Sequence, residues 1–125
     1  MRGERLEVGE KIKTYKDLEV YQKGYELTLK IYQTTNEFPV AEKYELGRQL
    51  RRAAVSIPAN IAEGYGRKKS SAEFKQFLRN AMGSANEVLV LLEIARDLGY
   101  KIPEGMAEEY EVLGKRIYKL IESWE

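Results

Sequence analysis

Apolar residues recur at spacings of three and four along most of the chain, and no stretch sustains the period-two alternation of a half-buried strand. The pattern therefore predicts an all-α protein. A first helix is expected from Asp17, as N-cap, to about Thr35. It carries one stripe of Leu18, Tyr21, Tyr25, Thr28 and Tyr32 and a second of Val20, Leu27 and Ile31, with Gly24 between them. The polar run before Pro39 ends it. A second helix is expected from Val40 or Ala41 to Glu63, its core stripe being Leu46, Leu50, Ala53 or Ala54, Ile57 and Ile61. Pro58 sits inside that pattern without the N–H its turn needs, which predicts a kink or a short break. Gly64 and Gly66 then read as a flexible exit.

The third helix has the clearest start, because Ser70 followed by Glu73 has the spacing of a capping box. Phe74, Phe77, Leu78, Ala81, Ala85, Val88, Leu92 and Ala95 follow at helical spacing to a stop at Leu98–Gly99. The fourth opens at Pro103, a good first-turn residue, and repeats through Met106, Tyr110, Leu113, Ile117 and Trp124. Short connections between them imply antiparallel neighbours. The predicted architecture is an up-down-up-down four-helix bundle over residues 15–125, preceded by a charged, flexible extension at 1–14.

One feature exceeds what a single core can absorb. Val88, Leu89, Val90, Leu91 and Leu92 surround the third helix at about 100° per residue, so some of them must face outward. Two readings fit: a central helix wrapped by its own neighbours, or a face covered by another copy of the chain.

Composition narrows the chemistry. The chain has 125 residues, 33% of them charged, and contains neither Cys nor His. Thiol nucleophiles, disulfides and Cys-ligated metals are excluded, and the commonest general base near neutral pH is missing. A non-enzymatic binding protein without a cofactor is expected. The longest apolar run is five residues, far short of the roughly 20 that a membrane helix needs, and the N-terminus lacks an apolar signal region. We therefore expect a cytoplasmic protein with no membrane partner.

The net charge of +1 hides an uneven distribution. Between Lys43 and Arg79 stand nine basic and three acidic residues, a balance of +6, against −5 for the rest of the chain. Arg48, Arg51 and Arg52 cluster early in this window. Arg67, Lys68 and Lys69 follow a Gly64-Tyr65-Gly66 turn, read as a flexible loop with a ring able to stack on a base. The competing reading is a solvated helix face with cations near its C-terminus. Two polar groups interrupt apolar surroundings: Ser56, Asn60 and Glu63 on the second helix, and Gly83, Ser84 and Glu87 on the third. We expect Asn60 and Glu63 to satisfy backbone groups left open by Pro58 and the glycine turn, and mid-helix Gly83 to mark close approach of another backbone. A carboxylate metal site between Glu63 and Glu87 is the weaker alternative, because helical di-iron sites need histidines.

The run from Gln49 to Gly64, QLRRAAVSIPANIAEG, resembles the signature of a bacterial four-helix-bundle family encoded within intervening sequences of 23S ribosomal RNA genes. Phe38-Pro39, Glu45-Leu46, Phe74, Phe77-Leu78, Gly83-Ser84, Glu87 and Leu98-Gly99-Tyr100 extend the resemblance over roughly Tyr15 to Ile121. It implies a ribosome-associated helical protein that assembles into a ring of five subunits. A related group, the accessory protein of diversity-generating retroelements, looks like the same barrel and binds a reverse transcriptase and nucleic acid. The resemblance implies no catalytic residues, and the basic positions it points to are Arg48, Arg51, Arg52, Arg67, Lys68 and Lys69. The leading expectation is an RNA-contacting homo-oligomer with ribosomal RNA as partner. The alternative is a protein–protein adaptor.

Overall fold

The computed structural model describes residues 12–125, so the greater part of the expected N-terminal extension lies outside the described residues. A 3-10 turn at Tyr15–Asp17 leads into helix α1 (Glu19–Asn36). A single turn at Val40–Lys43 precedes α2 (Leu46–Gly66), followed by α3 (Ser71–Asp97) and α4 (Met106–Ser123). Among the described residues there is no strand, and no helix is long and apolar enough to cross a membrane.

Cross-helix contacts fix the topology. Gly24 of α1 lies against Pro58 of α2, while Thr35 near the end of α1 meets Arg51, so the two run antiparallel. Ser56 of α2 meets Ser84 of α3, whereas Gly64 meets Phe74 and Phe77. The bundle is thus up-down-up-down. Consecutive helices pack most heavily, and α1 and α4 meet only thinly. That seam is closed by ions: Glu109 takes Lys23 at 3.1 Å and Lys30 at 3.4 Å, and Arg116 takes Glu19 at 3.0 Å. Hydrogen bonding from Lys23 holds the Glu109 carboxyl below the usual carboxylate range.

The core takes the whole of one stripe of α1 and part of the other. Val20, Gly24, Leu27 and Ile31 are buried with Leu18 and Thr28, while Tyr25 and Tyr32 stand half exposed. Tyr25 and Tyr32 therefore face outward, while Tyr21 packs on the margin of the core. Helix starts also differ from expectation. Asp17 does not cap α1. Its carboxylate accepts from the backbone of Lys13 and Thr14, completing a capping box with Thr14 around the 3-10 turn, and Leu18 takes the N-cap position. The second helix begins at Leu46 because the chain breaks after a single turn at Val40–Lys43. The fourth begins at Met106, after Gly105 adopts φ +88°. The third matches its local signals. Ser70 accepts from the Glu73 amide, and past Leu98 the chain reverses at Gly99 (φ +92°), with Tyr100 N–H donating to Ala95.

Pro58 does not break the helix, since α2 runs continuously through it. The carbonyl that proline leaves open is that of Ala54, four residues back. Thr28 of α1 reaches it, its hydroxyl lying 3.1 Å from Ala54 O and 2.8 Å from Gly24 O. Asn60 and Glu63 take no part. Asn60 donates instead to the Ser56 carbonyl and hydroxyl, at 2.8 and 2.9 Å, and Glu63 pairs with Arg67.

At one pole Ile12 and Trp124 gather around an aromatic cap. Tyr65 meets Phe74 edge-on, Phe74 meets Trp124 in the same way at 4.8 Å, and the Tyr65 hydroxyl lies 3.4 Å from the Ile12 carbonyl. Elsewhere in the core one polar atom is orphaned. Tyr110 is fully buried, and its hydroxyl has no hydrogen-bond partner among the described residues. Burial drives its phenol pKa far above the ordinary value. Tyr110→Phe should therefore stabilise the fold by about 1 kcal/mol, read as a higher urea midpoint with unchanged slope. A loss of stability would show that the hydroxyl is satisfied after all.

Candidate nucleic-acid interface

The cations of α2 divide by helical phase. Arg48 and Arg52 lie one turn apart on the outward face beside Val55, and Arg51 is turned about 60° from the first and about 100° from the second, toward α1. Arg51 is committed to the fold. Its Nη1 donates to Thr35 Oγ1 at 3.0 Å and its Nη2 to the Lys43 carbonyl at 3.1 Å, tying the end of α1, the short turn and α2 together. Gly47 leaves room for this, as a Cβ there would sit 3.1 Å from the guanidinium and 3.2 Å from the Glu42 carbonyl. Arg51 also lies over the Tyr32 ring, 5.8 Å from its centre. Arg48 and Arg52 are exposed, and neither has an acidic partner among the described residues. With Tyr32, Arg51, Val55 and Ser56 they line a shallow hollow of about 380 Å³.

The second cationic group is arranged differently from its sequence reading. Gly64, Tyr65 and Gly66 form the last turn of α2, not a flexible loop. Tyr65 is 7% exposed and packed on Phe74, with Lys68 Nζ 4.5 Å from its ring centre, so it offers no face to a base. Gly64 is confined, since a Cβ there would meet Phe77 Cβ at 2.6 Å. Arg67 bonds Glu63 at 3.0 Å and Glu73 at 3.5 Å, and lies over the Phe77 ring. Those carboxylates, Glu63 first, raise its pKa and neutralise it locally. Of the three cations of this group, Lys68 and Lys69 are the exposed ones without a carboxylate partner among the described residues. Fifteen residues of helical rise, about 22 Å, separate Arg52 from Arg67, so the six cations form two sites and not one patch.

The polar groups between α2 and α3 are structural. The Ser56 and Ser84 hydroxyls meet at 2.7 Å, and Asn60 joins them through Ser56. This register sets Glu63 opposite about position 77, so Glu87 lies about ten residues, or 15 Å, further along α3. Glu63 and Glu87 do not converge. Among the described residues no group of three or more possible metal-ligating side chains comes together. Gly83 is exposed, and a Cβ there would meet nothing within 4 Å, so the backbone approach expected at this glycine is not made inside the chain.

The crowded apolar run of α3 resolves into three buried residues (Val88, Leu91, Leu92), a half-buried Leu89 and an outward Val90. Val90, Ile94 and Leu98 recur at four-residue spacing and remain 55%, 43% and 55% exposed. The site residue that sequence reasoning missed is Tyr32, listed there only within one of the two stripes of the first helix. Its one usable signal was that α1 carries more apolar residues than one face can bury.

A family model described as 23S rRNA-intervening sequence protein matches residues 16–123. No curated protein matches the chain.

Proposed function

Because the chain belongs to the 23S rRNA-intervening sequence protein family, and because Arg48 and Arg52 stand exposed without acidic partners, we propose that it is a non-enzymatic RNA-contacting protein of the bacterial cytoplasm. The unpaired arginines carry this reading. Two like charges one turn apart repel each other on a free helix, and a phosphate backbone removes that penalty while releasing its own counterions. Lys68 and Lys69 supply a second, weaker contact; Arg51 and Arg67 are occupied within the fold.

The protein works as a homo-oligomer, a ring of five being the assembly that the family resemblance implies. The Val90–Ile94–Leu98 stripe of α3 is the surface that sister copies cover. Repetition of two modest sites around a ring multiplies affinity for a large structured RNA such as ribosomal RNA. The same stripe favours a second reading, an adaptor for a protein partner such as a reverse transcriptase. In that case partner binding survives nuclease and ignores charge reversal at Arg48 and Arg52.

The test is retention of ribosomal RNA by the full chain at about 50 mM salt, with native mass measured in parallel. Arg48→Glu/Arg52→Glu should weaken retention roughly thirtyfold, two charge-assisted contacts of about 1 kcal/mol each. No retention by the wild type, or no change in the double variant, would overturn the proposal.

A further inference from the structure

Resting on the RNA-binding reading, we infer that the hollow beside Arg48 and Arg52 takes an unpaired RNA strand, with a base on Tyr32 and the flanking phosphates on the two arginines. The hollow is the right kind of surface for that ligand and a poor one for a duplex. Paired bases are stacked on one another and offer an aromatic side chain nothing to stack on, so duplex recognition runs through phosphates and 2′-hydroxyls. Here the two free cations share their hollow with a ring that is 49% exposed. The combination of mobile guanidinium groups and an accessible aromatic face is what single-stranded nucleic acid uses.

The ring is also prepared for the task. Arg51, fixed by Thr35 Oγ1 and the Lys43 carbonyl, lies over Tyr32 and limits its motion. Arg51 is thus a positioning residue, while Tyr32, Arg48 and Arg52 touch the ligand. Leu29 and Tyr25, both 52% exposed, continue the apolar surface along α1 from Tyr32, one and two turns back respectively. A strand leaving the hollow in that direction meets a second ring. The inference assigns the stacking role that Tyr65, buried under the aromatic cap, does not fill.

The experiment compares anisotropy of a labelled, mixed-sequence RNA of about 15 nucleotides, without self-complementarity, against the same strand annealed to its complement, at about 50 mM salt. The single strand should bind about tenfold more tightly. Tyr32→Leu keeps an apolar side chain in the hollow but lacks a π-face. It should cost roughly tenfold in single-strand affinity and leave duplex affinity unchanged, and Tyr32→Phe should retain wild-type behaviour. Arg48→Glu/Arg52→Glu should weaken both forms. If that double variant weakens binding but single strand and duplex bind alike and Tyr32→Leu is silent, this inference fails while the RNA-binding reading stands. If neither RNA is retained by the wild type, both fail together.

Discussion

Gly64→Ala should lower stability by about 2 kcal/mol, although alanine is the better helix former. Inside a helix the exchange favours alanine by about 1 kcal/mol. At Gly64 the new Cβ meets Phe77 Cβ at 2.6 Å, Phe74 Cδ1 at 3.0 Å and the Phe74 carbonyl at 3.3 Å. The first and last of these are held by the backbone of α3, so no side-chain rotation relieves them. The two helices must separate, and overpacking of this kind costs about 1–3 kcal/mol or more, which outweighs the propensity gain. Gly114 of α4 is the matched control. A Cβ there meets nothing within 4 Å, so Gly114→Ala should stabilise by about 1 kcal/mol. Urea unfolding of both variants reads the two signs directly. If both stabilise, the close packing of α2 on α3 at Gly64 is wrong.

Thr28→Val should be nearly as costly, at about 1–3 kcal/mol, despite almost identical shape. Its hydroxyl, shared with the Gly24 carbonyl at 2.8 Å, lies 3.1 Å from the Ala54 carbonyl, which proline at 58 leaves without its usual donor four residues on. Valine leaves that buried acceptor bare. Pro58→Ala restores the missing N–H, so in that background Thr28→Val should cost less by about 1 kcal/mol or more. Equal costs in both backgrounds would show that Thr28 and Pro58 are independent.

The proline also shows where sequence reading stops. From α2 alone, Pro58 is a missing donor and hence a break. The compensating hydroxyl lies 26 positions earlier, on another helix, and no local rule reaches it. The third helix was legible because its signals are local: Ser70 caps its own next turn, and Gly99 ends the helix by its own dihedral. On α1 both stripes have helical spacing, and only the position of α2 against Gly24 decides that Val20, Leu27 and Ile31 are buried and Tyr32 is not. Charge behaved similarly. A balance of +6 counts Arg51 and Arg67 with Arg48 and Arg52, although the first two are held within the fold by Thr35, the Lys43 carbonyl, Glu63 and Glu73. The GYG run reads as a loop by composition, yet Gly64 and Tyr65 are drawn into the last turn of α2 by Phe74 and Phe77.

The aromatic cap has a practical corollary. Ile12 and Trp124 are both brought to the pole of Tyr65 and Phe74, whereas Arg48 and Arg52 belong to the first two turns of α2, near the opposite end of the barrel of helices. A tether, dye or affinity handle joined after Trp124 is thereby anchored far from the arginine hollow. Immobilising the molecule by its C-terminus leaves that hollow facing the solution.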